Sequence, residues 1–284
     1  MDNRRRYIFR GNAAAFGGQI VRPIDFLIEA HGASSLPVTG GRSLTRVGPP
    51  QPNDFFRVDS AETVAEGFFE DRGRFLAYTE GQGEQDALVA ITNVRVHVKG
   101  FQLGSKFRLV VGEMQAELNS RSPLASGQPS IRVGKVALDG VSINGHKLRV
   151  KVDASPFDRL DTHAKLLTAA DDANFVRESG DALFMRTPRD GAPAPPPTGR
   201  LIQACGTIYA TIVKSIDWDG DPFPGSRIDG NRVILEPDFG VLYFGELLIS
   251  EYSRRVTMVR AALGSEGGGS ASGGDAETNG QWSP

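Results

Sequence analysis

The sequence predicts a mainly β protein: a large antiparallel sandwich or barrel of about a dozen strands, with one short packed helix near residues 156–169. Three observations predict it. Apolar residues recur at every second position in short runs. Those runs are punctuated by turn residues, with 34 glycines and 17 prolines in 284 residues. Helical periodicity does not alternate with the strand patterns, which disfavours a βαβ fold.

The clearest strand is Val94-Arg-Val-His-Val-Lys99, with Val94, Val96 and Val98 on one face and Arg95, His97 and Lys99 on the other. After a glycine-flanked connection at 100–106, the run from Phe107 to Leu118 sets Glu113, Gln115 and Glu117 opposite Met114, Ala116 and Leu118, so the two runs read as an antiparallel hairpin. Between Ile131 and Leu138 the alternation slips by one residue at Gly134, as at a β-bulge. Val141 to Val152 reads as a tight hairpin around Asn144-Gly145, residues that accept positive φ. Further strands are expected at 7–14, 19–22, 87–91, 206–213, 232–235, 241–250 and 255–262. The helix begins with Ser155 as N-cap and Pro156 at its first position, and buries a stripe of Phe157, Leu160, Ala164 and Leu167.

Two segments read as unstructured. The proline-rich stretch 187–199 reads as an extended surface loop within one β-rich domain spanning 1–263. Residues 264–284 resemble a disordered Gly/Ser-rich tail, in which Trp282 is a chance aromatic.

Composition narrows the function classes. A net charge of −2 provides no global field for nucleic acid or anionic lipid. A single cysteine, Cys205, excludes an internal disulfide framework and reads as a small inert residue. The N-terminus has a basic cluster without an apolar stretch behind it, and no segment reaches the length of a membrane-spanning helix. These features predict a cytoplasmic protein, with export by a route lacking a Sec signal left open.

Two loops carry candidate sites. Asp217, Asp219 and Asp221 alternate like the first ligands of a calcium loop, but Pro222 replaces the turn glycine and Ile228 the closing glutamate. A divalent cation is the one cofactor they suggest. Gly40 and Gly41, followed by Arg42 and Arg46, form a candidate anion-binding loop without the ending of a P-loop. Arg95, His97 and Lys99 together with Lys147, Arg149 and Lys151 would make a basic panel, which Glu113 and Glu117 could neutralise. The four histidines have no metal-ligand spacing, and no catalytic set is evident.

The leading expectation is therefore a non-enzymatic β-rich binding or assembly protein. Loops 30–53 and 217–229 would carry recognition, and its partner would be another protein or itself rather than nucleic acid. The alternatives are a metal-dependent hydrolase built on the Asp217 loop, and a self-assembling or pore-forming β protein.

Overall fold

The computed structural model describes residues 5–22, 25–49, 55–82, 87–104, 107–125, 128–172, 208–235, 240–263 and 268–283. The proline-rich stretch 187–199 and Cys205 lie outside them. The chain begins with β1 (Tyr7–Ile8), β2 (Gly11–Arg22) and β3 (Phe26–Ser35), then β4 (Gly41–Val47), β5 (Phe56–Arg57) and β6 (Ser60–Phe69). Helix α1 (Arg72–Thr79) leads to the long strands β7 (Val89–Leu103) and β8 (Leu109–Pro123), then β9 (Ser130–Val133), β10 (Ala137–Asp139), β11 (Val141–Ile143) and β12 (His146–Val152). Helices α2 (Ser155–Arg159) and α3 (His163–Asp171) follow. The remaining strands are β13 (Ile208–Thr211), β14 (Val213–Trp218), β15 (Arg227–Asp229), β16 (Arg232–Leu235), β17 (Gly240–Ile249), β18 (Arg254–Leu263), β19 (Gly268–Thr278) and β20 (Gln281–Trp282).

Eighteen of these strands make a sandwich of two antiparallel sheets, and β1 pairs with β20 as a separate two-stranded ribbon, Tyr7 opposite Trp282. The ten-stranded sheet runs β14-β12-β11-β8-β7-β6-β4, with β9, β10 and β11 lining the far edge of β8 in succession and β5 beside β7. The eight-stranded sheet runs β15-β16-β17-β18-β19-β2-β3, with β13 beside β17. The faces packed together carry the alternating apolar residues: Val94, Val96, Val98, Met114, Ala116 and Leu118 are each fully buried.

Two of the chain's passages from sheet to sheet are tight corners. At one, β3 turns into β4, and the Thr45 hydroxyl donates to the Ala33 carbonyl at 2.7 Å. At the other, β13 becomes β14 across Ile212, whose N–H donates to Gly245 O at 2.9 Å while its carbonyl accepts from Asp153 N at 2.7 Å.

Local chemistry accounts for the turns. Asn144 and Gly145, with φ of 49° and 85°, close β11 onto β12 as a two-residue hairpin whose twist matches its strands. At Gly134, β9 gives way to β10 along the edge of β8 with one more residue than β8 spans, the extra residue that a phase slip demands. Gly100 is not a connection; β7 continues through it to Leu103.

A row of residues forms a crease across the eight-stranded sheet. Gly245, Met258, Gly274, Ala15 and Gly32 lie side by side on five adjacent strands, at a register position that every one of these ladders leaves unbridged. Gly245, Gly274 and Gly32 have φ of 57°, 67° and 58°, a region that glycine enters without strain. The twist in the backbone lets two consecutive residues face inward, as Met258–Val259 and Ala15–Phe16 do, all four being essentially buried. Gly100, with φ 65°, and Gly112 form a comparable line in the ten-stranded sheet, where Gly112 N donates to Gly140 O at 3.2 Å.

The largest departure from the sequence reading is the glycine-rich C-terminal segment. It is not a disordered tail: β19 is the centre of the eight-stranded sheet, paired with β18 on one side and β2 on the other. Its inner face lies over β7 and β8. A Cβ at Gly273 would stand 2.9 Å from Met114 Cε, and one at Gly274 2.9 Å from Met258 Cβ and Cγ. The composition that suggests a flexible linker is here set by close packing. Trp282 is correspondingly a core residue, 7% exposed, donating Nε1–H to Ser122 O at 3.1 Å and packing edge-on to Tyr7.

Residues 30–53 are likewise mainly strand rather than loop, because β3 and β4 take up most of their described part. The expected helix at 156–169 is two helices, with Ala154 rather than Ser155 as the first N-cap. Between them Thr162 caps α3 by accepting from Lys165 N at 3.3 Å. Phe157 and Leu166 are buried on the side facing the sheets.

Deleting residues 264–284 opens the sheet between β18 and β2, so the shortened chain is expected to lose its cooperative melt by circular dichroism; a passive tail would leave the melt unchanged. Gly274→Val is expected to cost roughly 2–4 kcal/mol in urea unfolding, from overpacking and positive φ together. Gly230→Ala, at φ 59° with open space around it, should show only the backbone part, about 1 kcal/mol.

Candidate functional site

Strand pairing places most of the residues singled out in the sequence. Gly40 ends the turn between β3 and β4 and donates its N–H to Pro37 O at 2.9 Å. A Cβ on it would stand 2.7 Å from Gly67 O and 3.0 Å from the Phe9 ring, so this glycine makes room for the neighbouring strand and an aromatic side chain. Gly41 already belongs to β4, opposite Gly67. Arg42 and Arg46 are strand residues engaged across the ladder by Glu66 at 2.8 Å and Glu62 at 2.7 Å. The four do not converge as an anion-binding loop.

The three aspartates diverge in the same way. Asp217 accepts from Ser215 Oγ at 3.3 Å, and Asp219 pairs with Arg149 at 2.6 Å. Asp221 presents its backbone carbonyl to His146 Nδ1 at 3.0 Å. Among the described residues no group of three or more His, Cys, Asp or Glu side chains is arranged to hold a metal ion.

The basic panel is interrupted by carboxylates. Arg95 reaches Glu62 at 2.7 Å and His97 reaches Glu113 at 2.6 Å, while Arg149 is held by Asp219. Hydrogen bonding from Arg46 keeps the Glu62 carboxyl below its ordinary range, with the charges of Arg46 and Arg95 adding to the effect.

A second polar group closes the end of the sandwich beneath α2. Arg254, 1% exposed, donates to the carbonyls of Phe157, at 3.1 Å, and Leu160. Burial lowers its pKa to about 10, against the opposing pull of Asp161 and Asp158. Burial would raise the Asp161 carboxyl, but hydrogen bonds from Lys165 at 2.7 Å and Ser130 at 2.6 Å outweigh it and hold the group below its ordinary range. Each partner is used in joining a helix to a strand, so this cluster is architectural.

The concave surface with the most organised chemistry lies on the outer face of the eight-stranded sheet and follows from the crease. Where two consecutive residues point inward, the outward residues of a strand are spaced three apart: Tyr243 and Glu246, Arg260 and Thr257, Ser272 and Asp275. The gap between those rows is a trough of about 380 Å³, floored by Gly17, Gly18, Ser270 and Ser272 and flanked by Tyr209 and Leu248.

Fixed polar groups bridge it. Arg260 makes a two-pronged pair with Glu246 at 2.6 and 2.5 Å, and its guanidinium lies 3.8 Å over the Tyr243 ring. Asp275 accepts from Thr257 and Ser272 hydroxyls at 2.6 Å each and faces Arg255 at 3.4 Å. Two arginines and two carboxylates cancel. Tyr209 remains 44% exposed at the margin. The sequence signal for this site is the three-residue spacing of polar residues around Gly245 and Gly273-Gly274, the same kind of phase slip that marks Gly134.

Asp161 has a folded-state pKa below its unfolded one, so its contribution to stability is present above the unfolded value, near pH 4, and is lost as pH falls through the folded value. Asp161→Asn is expected to cost about 1–2 kcal/mol at pH 7 and to flatten the loss of stability between about pH 5 and 3 in denaturant titrations.

Among the described residues no helix is long and apolar enough to cross a membrane. No curated protein and no solved structure matches the chain. A family profile described as a domain of unknown function, DUF8256, matches residues 7–250, from β1 to the end of β17. Over that span, folded here as a β sandwich, the chain belongs to the DUF8256 family.

Proposed function

We propose that the protein is a non-enzymatic binding protein whose ligand surface is the trough along the crease, and that the ligand is a neutral, hydroxyl-rich chain such as a polysaccharide. The observation that carries this reading is the pairing of a floor of small residues with rigid, charge-balanced polar groups. A floor of glycine and serine admits a ligand close to the backbone. Carboxylates and guanidiniums already held by one another present both acceptors and donors at low reorganisation cost, which suits sugar hydroxyls that both donate and accept. The balance of two positive and two negative groups gives no preference for phosphate or for a polycation. Tyr209 offers an exposed aromatic face at the margin of the trough, against which the apolar side of a sugar ring can pack.

Non-enzymatic action is part of the proposal. The trough carboxylates are engaged by arginines and hydroxyls, an arrangement that favours positioning over proton transfer.

Affinity electrophoresis in gels carrying soluble neutral polysaccharides (β-glucan, xylan, mannan or starch) tests the reading. Retardation by at least one is expected, with abolition in Ser272→Trp, which fills the floor, and about tenfold weakening in Tyr209→Ala. Mobility unaffected by every neutral polymer, or retardation that survives Ser272→Trp, would overturn it.

A further inference from the structure

We propose a second, separate binding site: the aromatic pocket between α1 and the β1–β20 pair, which takes a small planar aromatic anion. The pocket has a volume of about 370 Å³. That is at the lower end of the roughly 300–1,000 Å³ of small-molecule sites and suits a ligand of one or two fused rings. Its walls are rings held against one another. Phe69 stacks on Phe75 with centroids 4.0 Å apart, Tyr7 meets Phe9 edge-on at 4.7 Å, and Trp282 closes the side next to Tyr7 at 5.1 Å. Such walls offer both ring faces and ring edges to an aromatic guest.

The charge of the guest follows from Arg5 and Arg6, both of which line the pocket. Among the described residues neither makes an ion pair with a carboxylate. Their backbone is fixed where it stands: Arg6 N donates to Ser283 Oγ at 2.8 Å, Ser283 N donates to Arg6 O at 2.7 Å, and the Tyr78 hydroxyl donates to Arg5 O at 3.0 Å. Arg5 is further oriented by Nε donating to Ser283 O at 2.9 Å. Two cations anchored beside an apolar cavity favour a carboxylate or sulfonate carried on a ring, and a planar guanidinium can meet such a group with two parallel hydrogen bonds. The site shares no residue with the trough on the eight-stranded sheet and does not depend on its ligand.

The test uses the full chain with 8-anilinonaphthalene-1-sulfonate as an anionic aromatic probe and N-phenyl-1-naphthylamine as its uncharged counterpart. Saturable one-to-one fluorescence enhancement by the anionic probe is expected, with at least tenfold weaker binding of the neutral one. In a Trp218→Phe background, Trp282 emission should be quenched as the probe binds. Arg5→Gln with Arg6→Gln should weaken the anionic probe at least tenfold. Thr39→Trp, an exposed turn position at the pocket's mouth, should block both probes while leaving the melt unchanged. Absence of saturable binding, equal affinity for the two probes, or binding unaffected by both sets of variants would overturn the proposal.

Discussion

The crease across the eight-stranded sheet is the constraint on which the rest of the molecule depends. A sheet of this width cannot follow its partner without bending, and here it bends along one cross-strand row where Gly245, Gly274 and Gly32 adopt positive φ. The same row determines what happens on both faces. Inward, it doubles the apolar residues and brings Met258 and Met114 under β19. Outward, it separates the side-chain rows and leaves the trough. Core and candidate site are two sides of a single backbone deformation.

Arg260 and Glu246 illustrate the coupling. They stand on either side of the crease and close over it in a two-pronged pair. Such a pair restrains the bend while also forming a wall of the trough, so rigidity of the sheet and preorganisation of the surface come from the same contact. In the ten-stranded sheet the exposed charges act differently. Glu62 takes both Arg46 and Arg95, which protects a broad outer face from carrying a net field.

The legible part of the fold was the part governed by local rules. Alternation in Val94–Lys99 and Met114–Leu118, and the Asn144-Gly145 turn, read correctly because each pattern spans neighbouring residues. The strand β19 did not, since its glycines answer to Met114 and Met258, which lie far away in sequence. Residues 41–47 looked like a glycine-rich loop because their alternation joins arginines to small polar residues, and only the glutamates of β6 show why that pattern is a strand. The aspartates of 217–221 alternated as ligands would, yet alternation is equally the signature of a strand, and Asp217 lies on one. Arg254 gave no sign that it would be buried beneath α2, because the carbonyls it satisfies belong to a helix almost a hundred residues earlier.

The position of β19 also imposes an order of events during synthesis. β2 leaves the ribosome among the first strands and β19 among the last, yet the two are neighbours in the finished sheet. Until β19 is made, β2 and β18 each present an unpaired edge, and the long loop between β2 and β19 remains open. Folding of this sheet therefore waits for β19, and until then the nascent chain must keep the unpaired edge of β2 apart from other chains.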